Sequence, residues 1–176
     1  LRRPWPAGDG PIMTGAVDPV RAPDGPARVM ARSLVLSART AALSFLHPDN
    51  AAPFVSRIAI GTAPKGELIA LLSGISLHSR ALQIAPGAAL LIGEVTTKGD
   101  PLTSPRLALQ VTAQILARDD ALHPARRAAW LVTHPKAALY IDFADFFFVR
   151  FQVTGGLLNG GFGRAYHIGP ADIDLA

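Results

Sequence analysis

The segment 105–117, PRLALQVTAQILA, restricts the fold more than any other part of the chain. Apolar side chains occupy every second position from Leu107 to Ile115. Arg106 and Gln110 belong to the alternate set of positions, 106, 108, 110, 112 and 114. A repeat of two residues is that of a β-strand with one buried face, whereas an amphipathic helix repeats about every 3.6 residues. The segment therefore predicts a long strand on which Arg106 and Gln110 share the face opposite the apolar one.

Shorter apolar runs bounded by Pro, Gly and Asp predict further strands. In chain order these runs are 41–47, 54–62, 67–73, 88–95, 146–153 and 165–168. The first three are expected to pair as an antiparallel meander. The two glycines that follow Thr154 are expected to interrupt the strand before them.

Three helices are predicted between the strands. They cover 26–40, 76–85 and 120–141, the last with a break near Pro135. Asp24 and Ser76 are the expected N-caps of the first two. This order of elements predicts an α+β fold, in which a six- to seven-stranded antiparallel sheet with flanking helices closes into a barrel that covers its edges.

One domain is expected over residues 25–176. Residues 1–24 are rich in Pro and Gly and show no apolar period, which predicts an extended or flexible N-terminal arm. Hydrophobic residues make up 49% of the 176 residues, enough for a sizeable core. Only 17% are charged, and a surface this poor in charge is typical of a protein that a partner partly covers, so a homo-oligomer is expected.

The composition also excludes several classes of function. The absence of cysteine excludes disulfides, thiol nucleophiles, iron–sulfur clusters and cysteine-ligated zinc. The net charge of +4 reflects scarce acid, since Glu occurs only twice and basic residues never run longer than two, so nucleic acid is not expected as a partner. No apolar run reaches the roughly 18 residues that span a bilayer, and the first residues do not resemble a signal peptide. A cytoplasmic protein without a membrane partner is expected.

The segment SGISLHSR, residues 73–80, is the strongest candidate for a ligand site. It leaves a predicted strand and enters a predicted helix with three hydroxyls, His78 and Arg80. Hydroxyl donors, helix N–H groups and one guanidinium are the means by which proteins hold a phosphate. A plain capped helix with an exposed His and Arg explains the same residues.

Two other pairs of residues have the same ambiguity. Arg57, next to Ser56 in the apolar run VSRIAI, needs an anion unless it faces solvent. Arg106 and Gln110 could hydrogen-bond a planar heterocycle or could lie on a solvated strand face. The glycines of GGFGR, 160–164, permit a close approach to a ligand, or form an ordinary turn.

The stretch 130–165, WLVTHPKAALYIDFADFFFVRFQVTGGLLNGGFGRA, resembles the closing segment of the pyridoxamine-phosphate-oxidase-like flavoproteins, in particular their haem-utilisation (HugZ-type) branch. That branch reads HP-AA-Y--F-DF-l-R, followed by GGFGRA. Upstream, LHSRAL and PRLALQVTAQIL also resemble the family's patterns. The resemblance extends over roughly residues 28–168.

The resemblance implies a split β-barrel, a homodimer, and flavin mononucleotide (FMN) bound at the dimer interface. It also implies a role for ten residues in three groups. The strand along the flavin carries Ser56, Arg57, Ile58 and Ala59; the phosphate-holding turn carries Ser73, His78, Ser79 and Arg80; the strand that approaches the flavin carries Arg106 and Gln110.

The expected function is therefore that of an FMN-binding flavoprotein, a flavin-dependent oxidoreductase acting on a small molecule, with no catalytic residue assigned. A haem-binding or haem-degrading protein of the HugZ type is one alternative. The others are a non-enzymatic flavin carrier and a basic barrel that binds nucleic acid. The five histidines lack metal-ligand spacing, and no metal site is expected; His167 is the one singled out as a haem or metal contact.

Overall fold

The structure, a computed structural model, describes residues 20–95, 99–161 and 163–175. Its helices are α1 (Gly25–Ser37), α2 (Leu77–Ile84) and α3 (His123–Thr133). Its strands are β1 (Val20–Arg21), β2 (Thr40–Leu46), β3 (Pro53–Ala59), β4 (Gly61–Ala63), β5 (Glu67–Ser73), β6 (Gly87–Ile92), β7 (Arg106–Ile115), β8 (Phe146–Asn159) and β9 (Ala165–Ile168). Most of the predicted arm, 1–24, and Phe162 of the glycine segment lie outside the described residues.

The helices begin and end close to where the sequence signals place them. The Asp24 side chain accepts a hydrogen bond from Ala27 N at 2.7 Å, which confirms the predicted cap of α1. α1 ends at Ser37, before the predicted residue 40. α3 ends at Thr133, and Pro135–Leu139 continue as a 3-10 turn. Proline cannot donate the next helical hydrogen bond, so the predicted break is confirmed.

One mixed sheet contains the nine strands of the described residues. The order is β1-β9-β8-β7-β6-β2-β3, while β5 pairs with the first part of β8 and β4 pairs with β5. Seven of these strands have four or more residues and pair antiparallel, which confirms the predicted α+β class. Within the described residues the sheet has nine strands and not six to seven, because β1 and β4 add strands of only two and three residues. The two-residue β1 pairs with β9 in parallel, so the sheet is not wholly antiparallel. β3 runs into β4 with only Ile60 between them, β4 pairs with β5, and β5 pairs with β8, so the paired strands return to β8 as the predicted barrel requires.

The predicted meander of three consecutive strands is confirmed. β3 pairs with β2, where Arg57 lies opposite Ala42, and β4, which contains the end of the predicted strand 54–62, pairs antiparallel with β5. The second neighbour of β5, the first five residues of β8, was not predicted. All five residues 68–72 of β5 are buried, so the strand is covered on both faces. A continuous apolar run identifies such a buried strand but carries no information about which strand is its neighbour.

β8 does not end at residue 153, so the predicted interruption by the two glycines is wrong. The ladder with β7 skips Thr154 as a bulge, resumes at Gly155 and continues to Asn159. A Cβ atom on Gly156 would lie 2.6 Å from the carbonyl oxygen of Ala108. Glycine at this position permits close contact between the two strands, and the strand itself continues.

Apolar side chains pack on both faces of the sheet. The larger cluster contains the inward side chains of the strands together with apolar side chains of α1 and α2. The smaller cluster lies on the outer face, where Trp130 of α3 packs against Ile69 of β5 and Phe148 of β8. α3 therefore covers the outer side of β5 and the first half of β8.

The rest of the outer face has no such cover. Its side chains on β3, β2, β6, β7, the second half of β8 and β9 are half-buried or exposed, and none is buried. We call this surface the open face. It consists of Val55, Arg57, Ala42, Ser44, Ala89, Leu91, Ala108, Gln110, Leu157 and His167.

Candidate functional site

The strand register aligns six residues of the open face in one row. In strand order the row is Arg57, Ala42, Leu91, Ala108, Leu157 and His167. Neighbouring strands lie about 4.8 Å apart, so the two ends of the row are on the order of 24 Å from each other. Arg57 and His167 therefore belong to different parts of the surface, and a small ligand on one copy of the chain contacts only one of them.

Small side chains make the middle of the open face shallow and apolar. A cavity of about 330 Å³ lies over β6 to β9, and Ala89, Ala108, Gln110, Leu157 and His167 are among its lining residues. A second cavity, of about 300 Å³, has Arg57, Ala42 and Glu94 in its lining. The surface thus offers room for a flat ring, with the polar groups at its borders.

Arg106 and Gln110 share one strand face, as predicted, but they are not equally available. The Arg106 guanidinium donates a hydrogen bond of 2.8 Å to Leu102 O and a longer one to Ser104 O. Its side chain therefore holds the loop that precedes β7. Gln110 is exposed on the open face and lines the larger of its two cavities.

The alternation of β3 separates the predicted residues 56–59. Arg57 is on the open face, whereas Ser56 and Ile58 are on the inner side, where Ile58 is buried. The Ser56 hydroxyl lies 3.2 Å from His78 Nδ1 and thereby joins β3 to α2. Burial lowers the pKa of His78, so its imidazole is neutral at pH 7.

The hydroxyls at the start of α2 are engaged in bonds within the chain. Ser73 donates to Asp145 Oδ2 at 2.6 Å. Ser76 donates to Ser73 O at 2.7 Å, and its hydroxyl lies 2.8 Å from that of the fully buried Ser79, so the two hydroxyls also share a hydrogen bond. Arg80 is exposed, and its guanidinium has no hydrogen bond or ion pair with another described residue. Of this predicted group, Arg80 is the side chain that is free to meet an anion.

The structure thus divides the ten predicted site residues between the two sides of one sheet. Arg57, Ala59, Arg106 and Gln110 lie on the outer side. Ser56, Ile58, Ser73, His78, Ser79 and Arg80 lie in the barrel interior or around α2. One copy of the chain does not bring all of them to a single ligand.

A buried ion-pair network lies outside these predictions. Arg126 of α3 donates to both carboxylate oxygens of Glu67, at 2.7 and 2.9 Å, and the two side chains are only 3% and 8% exposed. Asp120 lies 3.0 Å from the same guanidinium, and Arg150 lies 3.6 Å from Glu67. The hydrogen bond from Arg126 is the main cause that lowers the pKa of Glu67. The sequence signal that could have indicated this network is the isolated Glu67 at the start of the apolar run ELIALLS, because a carboxylate entering a buried strand needs a partner.

Three further polar residues outside the predicted set have structural contacts. His134 bonds to Ile60 O at 2.8 Å and stacks on Trp130, with ring centres 4.2 Å apart. Asp142 forms an exposed ion pair with Arg127, and Asp145 accepts the hydrogen bond from Ser73.

Two functional features are not found in the described part of the chain. Within residues 20–95, 99–161 and 163–175, no three His, Asp or Glu side chains are grouped so that they could hold a metal ion. Nor does any helix of these residues have the length and apolar character needed to cross a membrane.

Comparison with solved structures identifies the class of the fold. A heme-binding protein from Mycobacterium smegmatis matches at 27% identity over 88% of this chain and 62% of its own, with a TM-score of 0.75. The protein Atu2129 of Agrobacterium tumefaciens, of unknown function, matches at 31% identity over 89% of this chain and 65% of its own, with a TM-score of 0.74. This chain therefore spans less than two thirds of either relative.

A more distant match shares the fold alone. It is a Listeria innocua protein described as a candidate pyridoxamine 5'-phosphate oxidase, with 11% identity over 76% of this chain and 98% of its own, and a TM-score of 0.58. Together with the observed topology, these structures place the chain among the α+β split-barrel proteins.

The family follows from the sequence match. The family model described as the CREG β-barrel matches residues 24–174. The chain belongs to the CREG β-barrel family, and its match extends over nearly all of the described residues. No curated protein sequence gives a match.

Proposed function

We propose that the chain forms a homodimer that binds FMN where the open face of one copy meets the α2 side of the other, and that it is a flavin-dependent oxidoreductase of a small molecule. One observation carries this proposal: the predicted cofactor residues lie on two sides of one sheet, with Arg57 and Gln110 on one side and His78 and Arg80 on the other. A second copy would bring both groups to one ligand. The resemblance to flavoproteins that hold FMN at a dimer interface supports this arrangement.

The side chains at the two surfaces suit different parts of FMN. Arg57 and Arg80 are exposed and have no anionic partner among the described residues, and a guanidinium matches a phosphate in geometry and charge. Ser73 suits the phosphate less well, because its hydroxyl donates to a carboxylate. The shallow apolar middle of the open face suits the ring, and the amide of Gln110 can both donate to and accept from the polar edge of the ring.

Bound FMN would supply the hydride or electron transfer. The chain's own residues would do the rest: Arg80 and Arg57 bind the phosphate, Gln110 orients the ring, and the apposed surfaces exclude water. The neutral imidazole of His78, held by Ser56, would keep the start of α2 in place beside the ligand.

FMN titration of the purified protein tests this function. We expect saturable quenching of flavin fluorescence, and we expect Arg80→Ala to weaken FMN binding about 10- to 150-fold, equivalent to about 1.5 to 3 kcal/mol for a charge-assisted hydrogen bond. Lys136→Ala, which removes an exposed positive charge beside α3, is the matched control and should bind FMN normally.

Three results would change the assignment. Absence of FMN binding by the wild-type chain overturns the proposal, and unchanged binding by Arg80→Ala removes Arg80 from the site. Binding of FMN without reduction by NADH or NADPH, and without reoxidation by oxygen, would favour a flavin carrier.

Haem binding is the second candidate function, and a specific observation favours it. His167 is exposed on the open face, lines the 330 Å³ cavity, and offers an imidazole of the kind that ligates haem iron. The relative from Mycobacterium smegmatis, which matches 88% of this chain, is a heme-binding protein. The apolar surface around Ala108 and Leu157 would suit the flat macrocycle.

A haem titration separates the two candidates. If haem is the ligand, a Soret band should shift and saturate, and His167→Ala should abolish the shift and weaken binding at least tenfold. His123→Ala is the matched control, because His123 packs against Phe148 on the α3 side of the sheet. Haem binding that is the same in both variants would show association without this ligand.

A further inference from the structure

The hairpin that joins β2 to β3 exposes an unbroken apolar segment. All five residues of the sequence AAPFV, 51–55, are exposed, and Leu46 at the end of β2 is 46% exposed. His47 N donates to Ala52 O at 2.8 Å and Ala51 N donates to His47 O at 2.9 Å, so backbone hydrogen bonds hold the turn in one conformation. A contiguous apolar surface of this kind is typical of a site that a ligand or a partner covers.

Phe54 is the aromatic residue of this segment, and its side chain lies on the α2 side of the sheet. Phe54 and Ser56 are two positions apart on β3, so they share one face of the strand. The Ser56 hydroxyl lies 3.2 Å from His78 Nδ1. The ring centre of Phe54 lies 5.7 Å from that of Phe45, which in turn lies 6.3 Å from that of His78. Phe54 therefore borders the group of residues around α2 that contains His78 and Arg80.

Phe54 differs in exposure from the aromatic residue that it contacts. Phe45 lies directly opposite Phe54 in the strand register and is 3% exposed, whereas Phe54 is 46% exposed. Phe45 belongs to the main apolar cluster, and the ring of Phe54 packs on it at an angle of 44°. Much of the Phe54 side chain is thus in contact with water, although a phenyl ring is stabilised when another flat ring packs against it.

We propose that Phe54 packs against the isoalloxazine ring of FMN, which would then lie between Phe54 of one copy and the open face of the other. The inference rests on the proposed function and adds to it the residue that covers the second face of the ring. The open face covers only one side, where the small side chains of Ala89 and Ala108 leave room for a ring. Phe54 has no titratable group, so it would position the ring and exclude water without transferring a proton.

FMN titration of three variants tests the inference. Phe54→Ala should weaken FMN binding by about fivefold or more, because it removes both the ring contact and the apolar area that the ring would cover. Phe54→Trp should bind FMN and show a broad absorbance band at longer wavelength than the flavin peaks, because an indole stacked on a flavin donates charge to it. Phe143→Ala is the matched control and should bind FMN normally, since Phe143 is 57% exposed and contacts another phenyl ring, that of Phe146, in the segment after α3.

Sedimentation equilibrium of Phe54→Ala separates contact with the flavin from contact with the partner. We expect the weaker FMN binding to persist at protein concentrations at which the variant is dimeric. Full recovery of FMN affinity in the dimeric variant, an equal loss in Phe143→Ala, or an FMN complex of Phe54→Trp without the new band overturns the inference. If Arg80→Ala weakens FMN binding and Phe54→Ala does not, the inference fails while the proposed function stands. A wild-type chain that binds no FMN overturns both.

Discussion

Replacing Arg126 with methionine is expected to lower the free energy of unfolding by about 3 kcal/mol, the lower end of the range for removing one partner of a buried ion pair. The substitution leaves the 8%-exposed carboxylate of Glu67 without the two hydrogen bonds that it accepts from Arg126. Arg150, 3.6 Å away, is too distant to replace them. Urea unfolding followed by tryptophan fluorescence measures the change, since Trp130 lies in the cluster beneath α3.

The neighbouring residue provides the control. Arg127 pairs with Asp142 on the exposed side of α3, and Arg127→Met should leave stability nearly unchanged. The double variant Glu67→Leu/Arg126→Met should recover most of the loss, because no buried charge then remains unpaired. If Arg126→Met unfolds no more easily than Arg127→Met, the network does not anchor α3.

Acid pH offers an independent check of the same pair. The lowered pKa of Glu67 means that its contribution to stability is present above the ordinary carboxyl value of 4.5 and is lost as the pH falls through the lower folded value. Arg126→Met should remove this part of the acid dependence, because the hydrogen bond from Arg126 is its main cause.

The substitution Leu157→Arg is expected to convert the proposed homodimer into monomers, with a rise of at least 100-fold in the dimer dissociation constant. Leu157 is 40% exposed in the middle of the open face, between Ala108 and His167 in the strand register. A charge at this position would be desolvated without a partner when a second copy covers the surface. Sedimentation equilibrium over a range of protein concentrations measures the change.

An exposed apolar residue elsewhere serves as the matched control. Val132 of α3 is 82% exposed and lies outside the open face, so Val132→Arg should leave the dimer intact. FMN affinity should fall with dimerisation in Leu157→Arg, because the proposed site needs both copies. A monomeric wild-type chain, or a dimer that withstands Leu157→Arg, would contradict the proposed interface.

The helices and most strands could be predicted from the sequence because each is caused by residues close together in the chain. The two-residue repeat of 105–117 identified β7, Asp24 identified the start of α1, and Pro135 identified the end of α3. The pairing of β5 with β8 and the continuation of β8 past Gly155 were not predicted. Strand pairing depends on residues far apart in the chain, and Gly156 matters only because the backbone of Ala108 lies against it.

The candidate site divides in the same way. The alternation of β7 was enough to place Arg106 and Gln110 on one face, but not to show that Arg106 bonds to the preceding loop. The family resemblance grouped residues 56–59 on one strand along the flavin, and the pleat of β3 separates Ser56 from Arg57. Their assignment to a cofactor remains a prediction.

By itself, the sequence determined the fold class and the approximate bounds of most helices and strands, because hydrophobic period, caps and prolines act over a few residues. Only the tertiary structure decided which strands far apart in the chain are neighbours, where the open face lies, and that Glu67 and Arg126, 59 residues apart, form one buried pair. Those features depend on how segments far apart in the chain pack into the same apolar interior, and a pattern of a few neighbouring residues does not predict that packing.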